Sequence, residues 1–130
     1  MHMSSTQPAP RADTPLSAEG LFAVLADSTR LRAVVLLHHT GERCVCELCD
    51  SLGVSQPKMS RHLAHLRDAG VVAARREGRW MHYGLADSLP VWARATIACS
   101  AQNLATVLPF QDDIARWERQ QTGIRRSCQT

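Results

Sequence analysis

Apolar residues recur along this chain mostly at helical spacing. Leu21, Val24 and Leu25 follow the i, i+3, i+4 rhythm of a helix with one buried face, and Ser17 or Asp13 is placed to cap it. A second helix begins at Asp27 or Ser28 and carries Leu31, Val34 and Val35. Its run from Val34 to Leu37 is dense enough for burial on more than one side, and Gly41 is its natural stop. A short helix over residues 46–52 follows, ended by Gly53. The stretch "SQPKMSRHLAHLRDAG" then opens a longer one, with Ser55 as N-cap, Pro57 in the first turn and Gly70 at the end. Met59, Leu63 and Leu66 share one face of it, so that helix is amphipathic.

The period then changes. Two extended runs, 71–76 and 80–85, flank Glu77-Gly78 and predict a β-hairpin. After Ser88 and Pro90, helical density resumes through Leu89, Trp92, Ala93, Ile97, Leu104, Val107 and Leu108. Phe110, Ile114 and Trp117 continue it beyond Pro109. Two such helices carry more apolar surface than a core this small can bury, which predicts a homodimer. The predicted class is mainly α with a small β-hairpin wing. A short helix, a Gly-containing turn, a second helix and a hairpin make a winged helix-turn-helix.

Composition changes little of this. The 130 residues, 45% apolar and 21% charged, fit one globular domain, expected over 17–120. Residues 1–16, with prolines and no apolar period, are expected to form a disordered arm, and 121–130 a flexible tail. No apolar run approaches the roughly 20 residues that cross a bilayer, and the start has no signal-sequence pattern, so a cytoplasmic protein is expected.

A net charge of +3 is too small to imply nucleic acid by itself, but the basic residues cluster. Opposite the apolar face of the amphipathic helix stand Lys58, Arg61 and His65, with Gln56, Ser60 and His62 on the flanks and Ser55 at the N-terminus; Arg75, Arg76 and Arg79 gather at the hairpin tip. One basic helix face is ordinary solvated surface. Joined to the preceding short helix, the Gly53 turn and the arginine-tipped hairpin, it predicts contact with double-stranded DNA.

Three of the five cysteines fall in "RCVCELC", as Cys44, Cys46 and Cys49. In a reducing compartment such spacing points to metal or redox chemistry more than to a disulfide framework. Cys99 is expected to be a buried helix residue and Cys128 a tail residue.

The stretches "LADSTRLRAVVLL", "CVCELCDSLGVSQPKMSRHLAHLRDAGVV" and "RREGRWMHYGL", in this order, resemble the signatures of the ArsR/SmtB family of winged-helix metal-sensing repressors, across residues 17–108. Ser28 departs slightly, standing where members often carry Pro. The resemblance implies a homodimer that binds operator DNA when unliganded and releases it on binding its inducer. It implies no enzyme activity and no organic cofactor. "CVCELC" resembles the motif of arsenic-responsive members, which implies that Cys44, Cys46 and Cys49 bind As(III), or Sb(III), as three thiolates.

The spacing agrees with this. Cys46 and Cys49, at i and i+3, are neighbours on one helical face with Cβ atoms roughly 5–6 Å apart, and Cys44 can fold back over the first turn. Three sulfurs on one side suit a pyramidal trivalent metalloid, whereas zinc prefers a tetrahedron. The helix N-terminus and Arg43 favour thiolate, and Glu47 opposes it. Cadmium and lead sensors of the family complete their site from an N-terminal arm, but residues 1–43 hold no cysteine. Zinc sensors use Asp and His pairs on the helix after the wing, but residues 89–108 hold neither His nor an acid.

Other readings stay open: a Cys3His zinc site completed by His38, His39 or His62, a repressor switched by a disulfide at Cys44 or Cys46, and plain packing of the thiols. A CxxC thiol-disulfide enzyme is disfavoured, because such motifs usually follow a strand in a βαβ unit.

Overall fold

The structure, a computed structural model, describes residues 16–122. The expected arm 1–16 and tail 121–130, with Cys128, lie outside the described residues except for 16, 121 and 122.

The first two helices are α1 (Ala18–Leu25) and α2 (Ser28–Thr40). Ser17 caps α1, its hydroxyl accepting from the Gly20 N–H at 2.9 Å, and the Asp27 carboxylate caps α2 by accepting from the Arg30 N–H at 3.0 Å. A two-residue strand β1 (Arg43–Cys44) leads directly into α3 (Val45–Leu52). Gly53 ends α3 in the left-handed conformation, at φ 68° and ψ 38°, which glycine adopts without a Cβ clash. The chain thereby turns into α4 (Gln56–Asp68), whose N-cap is Ser55. Strands β2 (Val72–Glu77) and β3 (Trp80–Leu85) follow, then α5 (Val91–Leu104) and α6 (Phe110–Thr122).

The hairpin pairs from Val72↔Leu85 to Glu77↔Trp80 and turns at Gly78, where φ is 62°. The sheet has a third strand that the sequence pattern did not predict. β1 lies antiparallel on the other side of β3, with Arg43 opposite Tyr83 and Cys44 opposite His82. The cysteine segment is therefore stitched to the wing.

The core gathers Leu21, Leu36 and Leu37, Leu48 of α3, and Met59, Leu63 and Leu66 of α4, closed by Val71 and Ile97. Burying one such side chain stabilises by about 1.5–3 kcal/mol, and truncating Leu63 to alanine would cost about 2–5 kcal/mol with its cavity.

The terminal helices differ from expectation in detail. The buried face of α5 is Ala93, Ile97 and Ala101, a strict i, i+4 series. Cys99 lies two residues from Ile97, about 200° around the helix. It is exposed, which corrects its expected burial. Trp92, Val107 and Leu108 are exposed as well, together with Phe22 and Val91, which is 85% exposed. The surplus apolar surface thus lies at the start of α5, on α1 and in the α5–α6 connection.

Phe110 is buried on α6, and Ile114 and Trp117 pack against the core beside α3. Asp113, 1% exposed, is enclosed between Arg32 and Arg116. Among the described residues no helix is long and apolar enough to cross a membrane.

Candidate functional site

Cys44 belongs to two elements at once. It is the last residue of β1 and the N-cap of α3, with extended backbone at φ −78° and ψ 160°. Its N–H donates to the Glu47 carboxylate at 3.2 Å, and the side chain is buried. Cys46, two residues on, lies in the first turn of α3, and the two Sγ atoms are 2.6 Å apart. Strand and helix thus meet where the two cysteine sulfurs touch.

Cys49 stands one turn further along α3 and is half-buried. Burial holds its thiol above the usual pKa of 9.0, and the neighbouring Asp50 carboxylate adds to the rise. Among the described residues no three His, Cys, Asp or Glu side chains stand together in a metal-holding arrangement. The structure brings the sulfurs of Cys44 and Cys46 into contact.

The histidines weighed as zinc ligands do not join the cysteines. His39 Nε2 lies 3.1 Å from the Ala101 carbonyl, His38 packs edge-on against His39, and His62 faces Asp27 and Arg30. Arg43 is also more engaged than its sequence position implies. Its guanidinium lies 3.5 Å from the Glu47 carboxylate and stacks over Trp117 of α6 at 5.4 Å. The support it could lend a thiolate is shared with Glu47.

The expected DNA face is largely exposed. Ser55, Gln56, Lys58, Ser60, Arg61 and His65 stand outward, while Met59, Leu63 and Leu66 are buried beneath them. His62 differs: it is half-buried, its Nδ1 lying 3.3 Å from an Arg30 nitrogen and 3.6 Å from the Asp27 carboxylate. Burial lowers its pKa below 6.5, partly offset by Asp27. His62 therefore anchors α4 to the start of α2.

On the wing, Arg76 and Arg79 are exposed, with Arg79 lying over the Trp80 ring at 5.9 Å. Arg75 is exposed too, but it is held by Glu42 at 2.6 Å and by Glu77 at 3.1 Å. These two carboxylates raise its pKa, and its hydrogen bond in turn lowers that of Glu42.

Sequence reasoning missed the contribution of α6. The Arg32 and Arg116 guanidiniums that enclose Asp113 also donate to the carbonyls of Leu52 and Ser51, at 2.8 and 2.6 Å. These carbonyls close α3. An acid amid the apolar positions of α6, with Arg116 three residues on, was the available sign, but Arg32 lies 81 residues away.

A helix, a glycine turn, a basic second helix and an arginine-tipped hairpin define a winged helix-turn-helix, here with a thiol pair at the first helix of the motif. The family model described as "Bacterial regulatory protein, arsR family" matches residues 27–74. The "Arsenical resistance operon repressor" of Escherichia coli K12 is 53% identical over 77 residues, covering 59% of this chain and 66% of that protein. The "Arsenic resistance transcriptional regulator ArsR1" of Pseudomonas putida is 49% identical over 77 residues, covering 59% and 60%. The chain thus spans less than two thirds of the length of these two relatives.

A solution structure of Mb0332 from Mycobacterium bovis, described as a homodimeric winged helix-turn-helix DNA-binding domain, superposes with a TM-score of 0.55 at 27% identity, over 67% of this chain and 81% of that one. The chain belongs to the ArsR family of bacterial regulatory proteins.

Proposed function

We propose that the protein is a cytoplasmic, As(III)-responsive repressor of transcription that binds a two-fold operator as an unliganded homodimer and leaves it when Cys44, Cys46 and Cys49 close on the metalloid. Sb(III) is expected to act likewise. The observation that carries this reading is the placing of Cys44, Cys46 and Cys49 on the β1–α3 junction and the first turns of α3, directly ahead of the basic helix. The two arsenic-resistance relatives support arsenic as the inducer.

In this account α4 enters the major groove, with Arg61 and Gln56 reaching base edges and Lys58, Arg76 and Arg79 reaching phosphates or the minor groove. The exposed apolar surface formed by Phe22, Val91, Trp92, Val107 and Leu108 meets its equivalent on a second copy. That pairing sets the two recognition helices roughly 34 Å apart.

The thiol arrangement couples inducer to DNA. Three As–S bonds draw Cys44, Cys46 and Cys49 onto one atom, so binding reshapes the first turns of α3. Cys44 is paired to the wing through His82, and α3 packs on α4, so strain at the thiols reaches both DNA-facing elements. Such coupling is typically worth about 1–3 kcal/mol, and linkage requires DNA to weaken inducer binding equally.

The test is operator release in reducing buffer against a panel of arsenite, antimonite, zinc, cadmium and lead. Release by the two metalloids supports the reading, and release by zinc alone contradicts it. The contact between the Cys44 and Cys46 sulfurs favours a second reading, a disulfide between them as the switch. Peroxide-driven release without an arsenite response would support that one.

A further inference from the structure

His62 belongs to α4 by sequence but to α1 and α2 by its contacts. It follows Arg61, yet its side chain is only 13% exposed and turns away from the outer face that Lys58, Arg61 and His65 share. Its Nδ1 lies 3.3 Å from Arg30 Nη1. A guanidinium has only N–H donors, so Nδ1 accepts this bond through its lone pair, and the neutral tautomer protonated at Nε2 is the one that fits. Arg30 is engaged on its other side too, where Nε donates to the Val24 carbonyl at 2.7 Å. That carbonyl lies in the last turn of α1, where a helix leaves its own acceptors unpaired.

One arginine thus ties three helices together. Only Ala26 and Asp27 join α1 to α2, and the Asp27 carboxylate closes that joint, accepting from the Arg30 N–H at 3.0 Å and facing His62 Nδ1 at 3.6 Å. The same α1 carries the exposed Phe22, part of the apolar surface assigned above to the second copy. The bonds from His62 through Arg30 to Val24 therefore run from the helix that faces DNA to a helix of the dimer surface. The buried Met59, Leu63 and Leu66 hold α4 onto the core, whereas a directional bond fixes its rotation. Successive residues of a helix stand about 100° apart, so holding His62 inward sets the direction in which Arg61 points.

We propose that Arg30 and His62 are positioning residues for operator binding: they touch no DNA, and they set the orientation of α4 relative to the dimer surface so that both recognition helices fit a two-fold site together. The inference rests on the two-fold dimer reading above and does not involve the cysteines. Losing the bond leaves each α4 able to enter a groove alone, but the two helices of a dimer then no longer share one fixed register on the duplex.

The experiment measures binding of the full chain to an inverted-repeat duplex selected by wild type from a random pool, and to the same duplex with one half scrambled. Wild type is compared with His62→Leu, His62→Asn and Arg30→Gln over a salt series. His62→Leu is expected to weaken binding to the intact repeat about tenfold, the order of one hydrogen bond to a charged group. Binding to the half-scrambled duplex and the slope of log K against log salt should stay as in wild type. His62→Asn, whose Oδ1 can replace Nδ1 as the acceptor, should restore most of the loss. Should His62→Leu melt below the assay temperature, Arg30→Gln is read in the same way. Equal weakening on both duplexes, or no weakening on either, would overturn the positioning role, and a salt slope reduced by about 0.9 would make His62 a phosphate contact instead. A wild type that binds both duplexes alike would overturn the two-fold reading and the inference with it.

Discussion

Arg32 grips Asp113 with two hydrogen bonds, Nε to Oδ2 at 2.9 Å and Nη2 to Oδ1 at 2.7 Å, and so fastens α6 to α2. The same Nη2 donates to the Leu52 carbonyl, and Arg116 Nε donates to that of Ser51. These are carbonyls that the end of α3 cannot pair within its own helix. The cysteine helix is thus held by β1 at one end and by the Arg32–Asp113–Arg116 cluster at the other. In the proposed switch, a distortion begun at Cys44 and Cys46 would be resisted on the α6 side and pass more readily to α4.

Removing the buried charge should therefore weaken the whole fold. Asp113→Asn leaves two guanidiniums facing a neutral side chain, and breaking a pair of this kind costs about 3 kcal/mol. Urea denaturation checks it. A destabilisation below about 1 kcal/mol would mean that the cluster is solvated in solution.

The wing arginines should not be equivalent. Arg75 is already paired with Glu42 and Glu77, whereas Arg76 has no such carboxylate partner among the described residues. Arg76→Ala and Arg79→Ala are expected to weaken operator binding and to reduce the slope of log K against log salt by about 0.9 for each phosphate no longer neutralised. Arg75→Ala should change the slope less. Fluorescence anisotropy over a salt series separates the three. Arg61→Ala, at the outer face of α4, should cost about 1–3 kcal/mol and relax base preference.

His62 gives a pH dependence with a defined sign. Burial keeps its folded pKa below the ordinary 6.5, so the unfolded chain takes up the proton first. Its contribution to stability is complete above 6.5 and is lost as pH falls through the folded value. Burial lowers the His38 pKa as well, adding a loss of the same sign. The wild-type melting temperature should drop between about pH 7.5 and about pH 5.5, and His62→Asn should drop less. An equal drop in both proteins would show that His62 is not the group titrating.

Much of the architecture was legible because it is periodic. Met59, Leu63 and Leu66 announced the buried face of α4, and Gly53 and Gly78 marked the two turns that shape the motif. What escaped was either too short or too distant. β1 has two residues, and no alternation can be read from two; only its pairing with Tyr83 and His82 defines it. His62 looked like a flank of the outer face because Asp27 and Arg30, which turn it inward, lie on another helix. Cys99 was placed inside because α5 is apolar on most sides, and the Ala93–Ile97–Ala101 face became visible only once α2 was packed against it. The three thiols were found from spacing. Spacing did not show that the sulfurs of Cys44 and Cys46 meet, since that depends on the strand that precedes α3.

The central claim is that the triplet is the input. It is tested most directly by titrating arsenite into operator-bound wild type and Cys46→Ser in reducing buffer. The account predicts that both proteins bind the operator alike and that only wild type is released. Release of Cys46→Ser at the wild-type arsenite concentration would contradict it.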